Sequence, residues 1–331
     1  MTNRYWRSLR QARLSRRQVL AAAGTGATAA GVLAATSKGR LLRTSTAVAA
    51  SAKGHGGRYQ IGSPAIIDTL DPHTSLVGGP PYFPRIYNTL VSQSQVDPSA
   101  LFFDLASSFE QPDENTWIFN IRPGVKVAPN NLGVPQREMD ATDAFRSFER
   151  IGETDSALGS AFVRDWFQSH EASADGRTYT IGTPQPYAWF LYRIGSPFTT
   201  IPPRELLQGD LTRMRTAGVG GGPFTANYVP GNRLTLNKNQ NYYRTDPSNN
   251  NAQLPYIDGM DVRFIADLAS LRTAFLSRLT YEYITSSEAE ANGLLSNSSV
   301  YSGAEEPVFT FISVTMNVKR PPFDDPASAR R

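Results

Sequence analysis

At 331 residues without a single cysteine, the chain exceeds one ordinary hydrophobic core and has no disulfide, thiol nucleophile, cysteine-ligated metal or lipid-bearing N-terminal cysteine. Its 40% apolar, 11% aromatic and 19% charged residues, with 23 prolines, describe a folding, turn-rich chain and exclude a coiled coil or an acidic disordered tail. Nine of the 33 basic residues fall in the first fifty positions, which hold no acid, so 24 basic residues meet 29 acidic ones beyond them, and a mildly acidic body argues against a nucleic-acid partner.

The N-terminal segment reads Ser15-Arg16-Arg17-Gln18-Val19-Leu20, then a weakly apolar stretch to Ala35 and a small-x-small site at Ala47-Val48-Ala49. That order predicts an export signal over residues 1–49, and its adjacent arginines resemble the twin-arginine type. The stretch from Val19 to Ala35 carries three Gly and two Thr, too few strongly apolar residues for a membrane span. Gly24-Thr25-Gly26 within it follows no strand and lacks a third Gly, so it is not a dinucleotide loop.

Beyond Gly57 the apolar period switches between two and 3.6. Trp117 to Ile121 alternates and is stopped by Arg122-Pro123-Gly124, predicting a strand and turn. Asp140 and Thr142 head a segment whose Ala141, Ala144, Phe145, Phe148 and Ile151 fall on one helical face, with Asp143 placed for a capping box. Asp175-Gly176 predicts a hairpin turn or a loop before a strand over Arg177 to Ile181. Gly218 to Gly222 is a break. Strands follow at Leu234 and Leu236 and at Met260, Val262 and Phe264, and Leu268, Leu271, Phe275 and Leu279 predict an amphipathic helix. Val308 to Val314 is a further strand. Interleaved strands and helices give an α/β class, without a fixed-period repeat. The chain stops six residues after Asp325 and reads as cut within a domain.

Catalytic and metal signatures are missing from the pattern. His55, His73 and His170 have no second His or carboxylate at metal-ligand spacing, so neither metal nor cofactor is expected. No nucleophile elbow, zincin helix or phosphate loop occurs, and Gly218-Val219-Gly220-Gly221-Gly222 runs into Pro223-Phe224 with no lysine. Glu305-Glu306 and Asp324-Asp325 are adjacent acids that point to opposite faces of an extended chain. On the residues alone, an exported ligand-binding protein and a secreted hydrolase of small esters or peptides both stay open.

Several segments in order resemble the extracytoplasmic solute-binding proteins of family 5, the oligopeptide, dipeptide and nickel binding class of bacterial ABC importers. They are Leu70-Asp71-Pro72-His73, Ile86-Tyr87-Asn88-Thr89-Leu90 as a tyrosine-bearing helix, Leu105 to Glu110, Trp117 to Lys126 and Asp140 to Ala144. Gly221-Gly222-Pro223-Phe224, Leu236 to Asn239 with Tyr242-Tyr243, Leu254-Pro255-Tyr256-Ile257-Asp258, and Asn317 with Pro321-Pro322-Phe323-Asp324-Asp325 continue the series. The resemblance implies a two-lobed α/β fold of the type II periplasmic-binding kind with an extra small α/β domain. Lobe I would be 50–91 and 190–283, the extra domain 92–189, and 284–331 the start of an incomplete lobe II.

It further implies a non-catalytic periplasmic or extracytoplasmic protein that captures a peptide or similar small solute by hinge closure and hands it to ABC permease and ATPase subunits. Ligand contacts are expected from the Gly-rich turn at Leu76, Val77, Gly78 and Gly79, where main-chain donors are accessible, and from the ring of Tyr82. Two departures stand out. Thr74 to Gly79 has no acidic residue to meet a peptide ammonium, so glycosides, opines and metal chelates stay open as ligands. The helix ending near Leu279 has Arg278-Leu279-Thr280 and then Glu282 where the family has a Gly and an Asp.

Overall fold

Short alternating segments and capped helices build the architecture, which the computed structural model describes for residues 39–44, 56–77, 79–93, 100–247, 249–285, 287–297 and 300–306. Arg16-Arg17, the stretch to Ala35, Ala47–Ala49, His55, Gly78, the strand expected at Val308 to Val314 and the Pro321-Pro322-Phe323-Asp324-Asp325 motif lie outside the described residues. The chain divides into two units, one holding 51–281 and the other 282–331 together with 33–50. Among the described residues no helix is long and apolar enough to cross a membrane.

The first unit contains a five-stranded sheet in the order β2 (Arg58–Ser63), β14 (Gly259–Phe264), β11 (Arg233–Lys238), β10 (Phe224–Val229), β9 (Ala217–Gly218), antiparallel except for the parallel β2–β14 pair. Period-two alternation puts Ala226, Tyr228, Leu234, Leu236, Met260, Val262 and Ile61 in the core. On the other face Arg58 bridges to Asp261 at 2.8 Å, and Gln60 donates to the same carboxylate. Helix α5 (Leu268–Leu276) packs against β2 at Gly62, where a Cβ would lie 2.4 Å from a methyl of Leu271. It is capped by Asp267, which accepts from the Ser270 amide.

That helix stops before Leu279, earlier than its apolar spacing predicts. Arg278 takes φ 62, its amide bonds Phe275 O, and the Leu279 amide reaches back to Ala274 O. This pair of bonds is a Schellman ending with arginine in the left-handed position that glycine fills most easily. Helix α1 (Phe83–Ile86) is shorter than the resemblance implies, because Tyr87 turns to extended backbone and Asn88 bridges Ile201. The cause is tertiary: Asp104 accepts from Asn88 Nδ2 at 3.1 Å, the Thr89 amide at 2.9 Å and Tyr243 Oη at 2.6 Å. The glycine break seals the same place from below. A Cβ on Gly222 would sit 2.6 Å from Ile86 O, and the Gly222 amide donates to that carbonyl.

A four-stranded sheet, β5 (Ala106–Glu110), β6 (Thr116–Ile121), β8 (Thr178–Gly182), β7 (Ser169–Ala172), completes the first unit with helices α2 (Ala141–Glu153), α3 (Ser160–Trp166) and α4 (Phe190–Ile194). Helix α2 begins with the capping box expected from Asp140 and Asp143. Gly176 supplies φ 69 in the β7–β8 turn, as Asp175-Gly176 predicts. Trp117, Phe119, Phe148, Tyr179 and Phe190 are fully buried, and Trp117 stacks on Phe190 with ring centroids 4.9 Å apart. Small antiparallel ribbons join β3 (Val91–Gln93) to β4 (Leu101–Phe103) and β12 (Thr245–Asp246) to β13 (Ala252–Gln253).

In the second unit β15 (Glu282–Thr285) and β16 (Tyr301–Glu306), separated in the chain by helix α6 (Glu288–Leu295), flank β1 (Gly39–Thr44) in a three-stranded sheet whose central strand is antiparallel to both neighbours. Strand β1 therefore falls in the stretch read from sequence as export signal.

Candidate functional site

The turn after Leu70-Asp71-Pro72-His73 carries the residues expected to meet a ligand, and its shape is set by two aspartates. Asp71 ends the descent of the chain: its main-chain carbonyl accepts from the Thr74 and Ser75 amides, and its side chain accepts from the His73 amide at 3.0 Å. Asp68 gathers the next residues, accepting Ser75 Oγ at 2.5 Å and the Leu76 amide at 2.7 Å. The Val77 amide points to the same oxygen at 3.4 Å, while Val77 O accepts from the Asp68 and Gly79 amides. The main-chain donors predicted to face a ligand at Leu76, Val77 and Gly79 are thus already engaged within the turn. What the turn presents outward is apolar, with Leu76 and Val77 each 55% exposed.

Gly79 is required by close approach. A Cβ there would stand 2.4 Å from Phe83 Cζ and 2.5 Å from Ser75 Oγ. Tyr82, the ring expected beside the turn, is 2% exposed and belongs to the core with Phe83 and Ile86, 5.7 Å from the Arg85 guanidinium carbon. Three residues along from Gly79, it lies under the turn instead of on its surface, because the Gly79 carbonyl accepts the Tyr82 amide and starts α1 inward.

A buried clip holds this turn to α2. Arg150 donates to both oxygens of Asp71 at 2.8 and 2.6 Å and to His73 Nδ1 at 2.9 Å. A guanidinium only donates, so Nδ1 accepts, and His73 Nε2 carries the proton that it donates to Thr200 O at 2.9 Å. Burial and then the Arg150 charge push the His73 pKa down to about 4, keeping the ring neutral. Burial works to raise the Asp71 pKa, but the Arg150 hydrogen bonds and charge outweigh it and hold the carboxyl below its ordinary value. Beneath the clip the Tyr87 hydroxyl donates to Leu70 O at 3.1 Å, and burial pushes that phenol up. Arg150 is the residue that the linear pattern conceals, since it sits 79 positions from Asp71.

The second described imidazole, His170, meets Tyr179 Oη at 3.0 Å through Nδ1 and packs on Phe145. Among the described residues neither ring makes a hydrogen bond to a serine or threonine hydroxyl. Among the described residues no three His, Cys, Asp or Glu side chains gather as a metal site. Open hollows of about 430 Å³ along α5 at Ala269, Thr273 and Leu279 and of about 250 Å³ between Asn130, Asn131 and Asn227 lie elsewhere in the first unit. Neither is lined by Leu76, Val77, Gly79 or Tyr82.

Residues 102–330 match the family model for bacterial extracellular solute-binding proteins, family 5 Middle. Di/tripeptide-binding protein 1 of Pseudomonas aeruginosa (strain UCBPP-PA14) is 24% identical over 159 residues, covering 43% of this chain and 30% of that protein. The periplasmic binding protein DppA from Helicobacter pylori, solved in complex with the peptide STSA, superposes with a TM-score of 0.59 at 23% identity, over 70% of this chain and 47% of that one. The binding protein MoaA of A. tumefacien R10, solved with mannopinic acid, gives a TM-score of 0.65 at 22% identity, over 82% of this chain and 53% of that one. The α/β fold is therefore that of periplasmic binding proteins. The chain spans about half the length of these solved structures and less than a third of the curated relative.

Proposed function

Because the chain belongs to the bacterial extracellular solute-binding proteins of family 5, we propose that it is the solute-capturing part of an ABC importer and has no catalytic activity of its own. It takes up a peptide or similar small solute outside the cytoplasmic membrane and delivers it to permease and ATPase subunits. The family match over residues 102–330 carries this reading. A twin-arginine signal at Arg16-Arg17 directs export of the folded chain to the periplasmic or extracytoplasmic side.

Contact with the solute is made by the turn at Leu76, Val77, Gly78 and Gly79, with Tyr82 supporting it from the core. Since the turn spends its amide donors on Asp68 and on its own carbonyl, it offers apolar contact at Leu76 and Val77. A solute with an apolar side chain, such as a di- or tripeptide bearing Leu or Met, fits that surface better than a purely polar one. The engaged imidazoles of His73 and His170 favour this reading over a secreted hydrolase, whose nucleophile would need a free base.

Titration calorimetry of the full chain with a panel of di- and tripeptides and mannopinic acid tests it. Binding of an apolar dipeptide, weakened about tenfold or more by Leu76→Asp through loss of buried apolar contact, is the expected result. Hydrolysis of a panel member, abolished by changing one Ser or Asp, would overturn the importer reading. Binding unaffected by Leu76→Asp and Val77→Asp would overturn the assignment of the turn.

A further inference from the structure

Strands β15 and β16 are consecutive in the chain, joined by α6, yet they do not pair with each other. Both run antiparallel to β1, so they are parallel to one another with a place one strand wide between them, roughly 10 Å from axis to axis. Gly39–Thr44 fills that place. Arg40 to Arg43 stand opposite Thr285 to Glu282, and Gly39 to Thr44 opposite Glu306 to Tyr301. With the central strand gone, the facing edges of both neighbours would lose their ladder partners.

The register is also matched in charge. Arg43 stands opposite Glu282, and Arg40 stands opposite Glu305. Opposite charges directly across an antiparallel pair stabilise it. Both arginines of β1 thus occupy register positions opposite a glutamate, a sequence pattern that a segment discarded after export would not need.

We propose that Gly39–Thr44 is a structural strand of the folded protein and not part of the disposable leader, so that removal of the export signal takes place N-terminal to Gly39 instead of at Ala47–Ala49. This rests on reading an export signal in the N-terminal segment, and it reassigns that segment's last residues.

The strand itself is tested in the full chain by hydrogen exchange. Leu42→Pro deletes a ladder donor in the middle of β1. It is expected to speed exchange of the amides of 282–285 and 301–303 by about tenfold or more while those of β10 and β11 hold their protection. Unchanged exchange at 282–285 and 301–303 overturns the proposal. As the chain has no native cysteine, the pair Leu41→Cys with Ile284→Cys gives a second reading. Air oxidation is expected to join these register partners, and failure to join them while the chain stays folded counts against the strand. Intact mass of the exported form then tests processing. An N-terminus at or before Gly39 supports the proposal, and one after Thr44 overturns it. A chain that is never exported refutes the export reading, while the exchange result still decides the strand.

Discussion

Replacing Arg150 by Met isolates the energetics of the clip that fixes the candidate turn. Asp71 is 8% exposed at its side chain and Arg150 14%, and the two share two hydrogen bonds at 2.8 and 2.6 Å. Removing the cation leaves a buried carboxylate without its partner, which typically costs about 3–5 kcal/mol. His73 Nδ1 loses its donor in the same step. For a unit of this size a loss of that magnitude lowers Tm by roughly 6–20 °C. Circular dichroism of the full chain measures it, with Arg146→Met as the comparison. Arg146 and Glu149 form a pair on the same helix but are 48% and 36% exposed, so its loss should cost under about 1 kcal/mol. Equal shifts in the two variants would refute the claim that burial makes the Arg150 clip strong.

The clip also sets a pH window. The folded-state pKa of His73 is depressed to about 4 from 6.5, so between these values the unfolded chain binds a proton that the folded chain does not. Stability therefore falls as pH drops from about 6.5 to about 4, by roughly 3 kcal/mol in all. Asp71 is likewise depressed, so its contribution is present above its unfolded value near 3.9 and disappears as pH falls further through the folded value. In Arg150→Met the cation that helps to keep His73 neutral is absent, and the fall between pH 6.5 and 4 should become shallower. Denaturant midpoints at a series of pH values read the two slopes. A wild-type slope that is flat across this window contradicts the neutral, buried imidazole.

Two further substitutions test the backbone argument. Arg278→Gly relieves a left-handed arginine, φ 62, at the end of α5 and should stabilise the chain by about 1 kcal/mol, a rise of roughly 2–4 °C in Tm; a fall in Tm would show that the Arg278 side chain contributes more than its backbone costs. Gly222→Ala places a Cβ 2.6 Å from Ile86 O, a main-chain atom without freedom to swing aside, and should destabilise by about 1–3 kcal/mol. Gly231→Ala is the comparison for space, because nothing lies within 4 Å of its Cβ position, although its φ of 68 carries its own strain of about 1 kcal/mol. Chemical denaturation of both variants separates contact from conformation, and Gly222→Ala matching Gly231→Ala would remove the contact argument.

What was legible in the sequence was what short-range chemistry controls. Asp140 and Asp143 announce the capping box of α2, Asp175-Gly176 the β7–β8 turn, and Leu234 and Leu236 a buried strand face, because each depends on residues within a few positions. The endings of α1 and α5 depart from the sequence pattern for opposite reasons. Apolar spacing carried α5 on to Leu279, but spacing is blind to the single backbone angle at Arg278 that closes the helix. At α1 the segment Ile86 to Leu90 is drawn into extended form by Asp104 and by a glycine run more than 130 residues away. The candidate turn shows the same division. Its glycines are evident in the sequence, but the exposure of the Leu76 and Val77 side chains is not; their amide donors are taken by Asp68 within the turn, and Tyr82 is folded beneath it. A Gly-rich turn read as a cradle of free amides is, once Asp68 closes it, an apolar surface. That reversal shifts the expected recognition from hydrogen bonding by the main chain to contact by two side chains, which is why Leu76→Asp and not a glycine substitution is the discriminating change for binding.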